Sequence, residues 1–168
     1  MNDVCYYPIG VRLHRKTRVA IWHDQGTGGL CVKEGRILSF PCEEDASSYA
    51  EKEGFVLESQ SVPLYDLDRL SRWLRSEKNE VECEWLLNFW NLFSDAAGSI
   101  GQAFLGDQKS QEFNNLYDKL FFGCNLPALR GDGERYIPAF SQKEIYRLRV
   151  ILKNGLRLLL RELQKALE

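Results

Sequence analysis

Histidine is scarce in this chain: His14 and His23 are the only two in 168 residues. A histidine-based nucleophile or metal site therefore has at most two candidates, and both fall in segments that read as strands. His23-Asp24 is the one acid/base neighbour pair, but adjacent strand residues point to opposite faces and do not converge on one reacting atom. The five cysteines (Cys5, Cys31, Cys42, Cys83, Cys124) are odd in number, far apart and without Cys-x-x-Cys spacing. That pattern argues against a disulfide framework and a zinc site and predicts reduced, mostly buried thiols. No spacing ties Cys31 or Cys42 to a histidine. The expectation is a chain that is not an enzyme and needs no cofactor and no metal.

Long apolar runs are absent too. The stretch Trp85 to Phe93 is broken by Asn88 and Asn91 and falls short of the ~18 residues of a membrane span. Met1-Asn-Asp-Val-Cys5 lacks the basic start and apolar segment of a secretory signal, so a cytoplasmic protein with no membrane contact is expected. Low-complexity tracts are missing, and 44% hydrophobic with 27% charged residues is ordinary for a folded globular chain. Gly26-Thr-Gly-Gly29 lacks the spacing, the Lys-Ser/Thr and the following helix of a phosphate-binding loop, and reads as a turn. Arg130-Gly-Asp132 also reads as a turn.

What the chain does contain is a strand-rich start and a helical end. Val11 to Leu13, Arg18 to His23, Leu30 to Lys33 and Arg36 to Phe40 are short and rich in β-branched and aromatic residues. Gly26-Thr-Gly-Gly29 and Glu34-Gly35 supply hairpin connections, which predicts an antiparallel meander. A short helix over Asp45 to Glu53 stopped by Gly54, a returning strand at Phe55 to Glu58 closed by Pro63, and a helix capped by Asp66 follow. Ser76 to Glu80 is polar and reads as a hinge between residues 1–78 and 79–168, two subdomains or one compact domain.

Beyond it, Trp85, Leu86, Phe89, Leu92, Phe93 and Ala96 form a broad helical face, widened by Leu87 and Trp90, that predicts a central helix from Val81 to about Ala97. Its polar strip is Glu84, Asn88, Asn91 and Asp95. Phe113 to Phe121 predicts another helix, ended by Gly123. The Pro- and Gly-rich residues Cys124 to Phe140 predict an ordered loop pinned by Leu126, Leu129, Tyr136 and Ile137. Ser141 and Glu144 have capping-box spacing, and Ile145, Leu148, Leu152, Leu156, Leu159, Leu163 and Leu167 then recur in steps of three or four. This closing helix needs a large partner surface. The fold class is therefore α+β, an N-terminal antiparallel sheet with short helices packed on a C-terminal helical unit.

Charge is unevenly spread. The net charge is −2, yet Cys42 to Glu84 carries 12 acidic residues against Lys52, Arg69, Arg72, Arg75 and Lys78, a net of −7. Some of these carboxylates suit helix N-termini; the rest make a field that steers a cationic partner. Glu43, Glu44, Asp45, Glu77, Glu80, Glu82 and Glu84 are the candidate contact residues. Arg149, Lys153, Arg157, Arg161 and Lys165, every fourth residue of the closing helix, form a basic ridge that could follow a phosphate backbone. No aromatic residues interleave with it for base stacking, so nucleic acid is the second choice of partner.

The motifs Leu86-Leu-Asn-Phe-Trp-Asn-Leu-Phe-Ser-Asp-Ala-Ala97, Tyr117-Asp-Lys-Leu-Phe-Phe-Gly-Cys-Asn-Leu-Pro127 and Tyr136-Ile-Pro-Ala-Phe-Ser-Gln-Lys-Glu144 resemble the helical portion of bacterial immunity proteins for contact-dependent growth inhibition and related polymorphic toxins, over roughly residues 80 to 160. The resemblance implies a non-enzymatic cytoplasmic protein that binds a cognate toxin C-terminal domain and blocks it. It brings no catalytic and no contact residues with it, so the acidic residues above rest on the charge argument alone. The toxin expected on that argument is a nuclease with a basic active-site surface. The competing expectation is a nucleic-acid-binding or regulatory module using the basic face of the closing helix.

Overall fold

The computed structural model describes residues 3–165. Strand β1 (Tyr6–Leu13) and strand β2 (Lys16–His23) form a long antiparallel hairpin in which Tyr6 faces His23 and Leu13 faces Lys16. Two residues, His14 and Arg15, connect them, both at positive φ (52° and 64°). His14 is therefore a turn residue and not a strand residue. Strand β3 (Gly29–Leu30) pairs with the end of β2 and strand β6 (Ser39–Phe40) with its middle, so the two short strands share one edge of β2. Between them β4 (Val32–Lys33) and β5 (Arg36–Ile37) leave the sheet as a separate small hairpin, turning at Glu34 and Gly35 with φ of 54° and 75°.

The expected all-antiparallel meander is corrected at the other edge. Phe55 to Glu58 makes only a single parallel bridge, Leu57 to Tyr6, with the Glu58 N–H donating to the Tyr6 carbonyl at 2.7 Å. The strand that pairs with β1 is β7 (Leu64–Asp66), in parallel, after Pro63 and not before it. The Pro63 carbonyl accepts from the Gly10 N–H at 2.8 Å, so the proline opens this strand. It sits on the sheet edge, where a missing N–H breaks no ladder bond.

Alternate residues of the hairpin serve different layers. Val19 and Ile21 face helix α1 (Glu43–Glu53) and bury Ala46. Ile9, Val11 and Ala20 face the helical unit and belong to the main core. That core continues through α2 (Leu67–Arg75), α3 (Cys83–Ser99), α4 (Gln111–Gly123) and α6 (Gln142–Lys165), so it draws on residues 1–78 and 79–168 alike. The linker between the halves is tied down: Trp73 donates its indole N–H to the Glu80 carbonyl (2.9 Å), and Arg149 donates to the Lys78 carbonyl (2.6 Å).

Helix α3 is central, as its sequence predicts. Eight of its residues are buried, including Phe89 and Phe93, each contributing ~2–3 kcal/mol through burial. Its polar strip is partly structural. Asp95 accepts from the Trp22 indole (2.9 Å) and Asn91 from the Tyr117 hydroxyl (2.9 Å). Burial raises the Asp95 carboxyl above its usual value, against the stabilising hydrogen bond from Trp22. The closing helix begins as read: the Glu144 N–H donates to Ser141 Oγ (3.1 Å) and the Ser141 N–H to Glu144 Oε1 (2.9 Å). Ile145, Leu148, Leu152, Leu156, Leu159 and Leu163 are all buried, while Leu167 lies outside the described residues. The Asp66 cap is present too, accepting from the Arg69 N–H at 2.9 Å.

Candidate partner-docking surface

The segment after α4 is built to hold a loop at its base and display its tip. Gly123 ends the helix against Cys83 at the start of α3; a Cβ at this position would run into the Cys83 side chain. Asn125 then takes positive φ (52°), where asparagine is better tolerated than most side chains. Its Nδ2 donates to the carbonyls of Gly123 (2.9 Å) and Tyr136 (2.8 Å), and its Oδ1 accepts from the Tyr136 N–H (2.7 Å). One side chain thus closes the loop on itself. Lys119 holds the far end, donating to the Ala139 carbonyl (2.8 Å) while pairing with Glu144 (2.8 Å). Burial pushes the Glu144 carboxyl up, but its hydrogen bonds from Lys119 and Ser141 outweigh this and hold it below the usual carboxylate range.

Within this frame runs a short helical turn, α5 (Pro127–Arg130). Leu126, Leu129, Tyr136 and Ile137, expected to pin the loop, point outward instead, with Leu129 60% and Ile137 81% exposed. Polar contacts at the base make the apolar pins unnecessary. With Phe122, these side chains make five of the ten large exposed apolar residues of the described chain, gathered within sixteen positions. Such a concentration marks an interaction surface more than scattered exposed apolar residues do. The surface is creased by two grooves sharing Asn125 and Tyr136. One, about 850 Å³, is lined by Phe121, Phe122, Leu126 and Leu129; the other, about 560 Å³, by Glu82, Glu84, Trp85 and Ile137.

The structure separates the candidate acidic residues. Glu43, Glu44 and Asp45 occupy the exposed first turn of α1, which packs on one face of the sheet. Glu77, Glu80, Glu82 and Glu84 are exposed on the linker and the start of α3, which belongs to the core on the opposite face. Only Glu82 and Glu84 border the apolar loop. Glu82 is paired with Arg69 at 2.7 Å, and that guanidinium also lies 4.1 Å from the centre of the Trp85 ring. Glu84 has no cation within ion-pair distance among the described residues.

The basic ridge is less uniform than its spacing. Arg149 lies 5.0 Å from the centre of the Trp73 ring and bonds the linker, while Lys153, Arg157 and Arg161 are exposed; the Lys165 side chain is outside the described residues. The residues weighed for catalysis have structural engagements of their own. His23 ends β2 beside Ser99, whose hydroxyl is engaged with the Leu30 N–H and the Asp95 carbonyl, and Asp24 accepts from the Cys5 N–H. All five cysteines are free and of intermediate burial, with Cys31, Cys83 and Cys124 packed against the apolar cores. Cys31, under α1, has its thiol pushed up to about 11 by burial. Among the described residues no three His, Cys, Asp or Glu side chains are placed to hold a metal ion, and no helix is long and apolar enough to cross a membrane.

The apolar display was missed from sequence because a loop leucine that pins and one that protrudes look alike. Only the loop's length, too great for a tight connection, pointed to it. Compared with protein-family models, with curated proteins and with solved structures, the chain matches none.

Proposed function

We propose that this chain is an immunity protein that binds a cognate toxin domain and neutralises it by covering its active site. The observation that supports this reading is the exposed apolar loop, tied at its base by Asn125 and bordered by Glu84 and by Glu82, the latter paired with Arg69. Apolar and aromatic anchors supply binding energy when a partner desolvates them. Carboxylates at the rim raise the association rate with a cationic surface, such as the substrate-binding face of a nuclease, and suppress wrong partners. Bacterial cytoplasm is where such a protein would meet a delivered toxin.

The test is coexpression with a candidate cognate toxin domain, a nuclease domain from a polymorphic toxin, followed by stopped-flow association. Ile137→Asp should speed dissociation. Reversing Glu77, Glu80 and Glu84 to Lys should slow association several-fold at low salt and flatten its salt dependence. A parallel set at Glu43, Glu44 and Asp45 shows whether the α1 group contributes. Unchanged growth protection and unchanged kinetics in both charge sets would remove the acidic-surface mechanism.

A further inference from the structure

The turn joining β1 to β2 carries two consecutive non-glycine residues, His14 and Arg15, at positive φ. Two-residue turns of this hand favour Asn-Gly, so His-Arg here holds a strained backbone. Asp68 on α2 holds it, accepting the backbone N–H of both His14 and Arg15 at 2.9 Å. The turn thereby borders a groove of about 460 Å³ between the hairpin, α2 and α6. Arg15, Arg72 and Arg75 line it over an apolar floor that includes Leu67, Leu156 and Leu160. Among the described residues no carboxylate lies within ion-pair distance of these three arginines. Asp68 is the one acid in the lining, and both its oxygens are engaged by the turn.

Arg75 donates its Nε to the Ser71 carbonyl of its own helix (3.3 Å), and three guanidiniums without a carboxylate partner beside a leucine floor match an oxyanion joined to an apolar body. We infer that this groove binds a small phosphomonoester, its phosphate on Arg15, Arg72 and Arg75 and its apolar part on Leu156 and Leu160. A bounded groove of this size favours a small molecule over a polynucleotide, which would need a longer track. The inference stands apart from the toxin-neutralising reading, because the groove and the apolar loop share no lining residue.

Calorimetric titration of the full chain with phenyl phosphate, inorganic phosphate and phenol tests it. Phenyl phosphate should bind saturably, inorganic phosphate more weakly, and phenol not at all. Arg15→Gly is the informative variant, since it removes the guanidinium while relaxing the positive-φ turn. It should weaken phenyl phosphate binding about tenfold or more with an unchanged or higher Tm. Arg72→Ala should weaken it similarly, and Arg161→Ala should leave it unchanged. The site is refuted if neither phosphate probe saturates by about 10 mM, or if Arg15→Gly and Arg72→Ala bind as the parent does. It is equally refuted if a single-stranded oligonucleotide binds in preference to phenyl phosphate and is lost on Arg157→Glu.

Discussion

Replacing Gly155 by alanine should destabilise this protein, although it lies in the interior of helix α6, where the same change ordinarily helps. Alanine exceeds glycine by about 1 kcal/mol in intrinsic helix propensity. Gly155, however, faces Phe93 of α3, and the two helices make the most extensive helix–helix contact in the molecule. A Cβ there would sit 2.6 Å from the Phe93 Cβ and closer still to Cγ and Cδ2 of its ring. Phe93 is fully buried, with its ring centre 5.9 Å from that of Phe89 and 6.1 Å from that of Phe104, so it has no open direction in which to yield. Overpacking of this kind costs ~3 kcal/mol at the upper end of the usual range, leaving a net loss of ~2 kcal/mol after the propensity gain. Urea denaturation should show a lower midpoint with an unchanged m value. Phe93→Leu in the Gly155→Ala background should recover part of the loss, a coupling expected of residues in direct contact. Stabilisation by Gly155→Ala would refute the close packing of α3 on α6.

Two further outcomes follow from the side chains that tie loops down. Asp68→Ala should cost about 1 kcal/mol, discounted for solvent exposure, by stripping the acceptor from the His14 and Arg15 N–H groups. Hydrogen bonding from the Arg15 backbone, with that from His14, holds the Asp68 carboxyl below its usual value, so its contribution is present above the ordinary carboxylate range and is lost as pH falls through the depressed folded value. The gap between parent and variant stabilities, followed by denaturation from neutral to acid pH, should therefore close at the acid end. A gap independent of pH would sink the assignment. Asn125→Ala should release the loop over residues 124–140, seen as faster amide exchange and proteolysis there with little change in the exchange of α3; equal protection in both proteins would show that the loop is held by something else.

Much of the fold was legible because it rests on local rules. The Ser141–Glu144 box, the Asp66 cap and the six described core residues of the closing stripe depend on groups within one or two helical turns of each other. Sheet pairing was less so. Phe55 to Glu58 and Leu64 to Asp66 are both short extended segments, and which one joins β1 is decided by where α1 and its following loop deliver the chain. The candidate surface was half visible: acidic excess is a property of composition, but its division between opposite faces of the sheet is not.

The sequence by itself determined the α+β order of elements, the caps and the buried stripes, since periodicity and turn chemistry act between near neighbours. Tertiary structure alone decided that the loop leucines face outward, that Gly155 is a contact with Phe93 and not a weak helix residue, and that Arg15, Arg72 and Arg75 share one groove. Each of these depends on segments far apart in the chain meeting at a surface, and no local pattern encodes which surfaces meet.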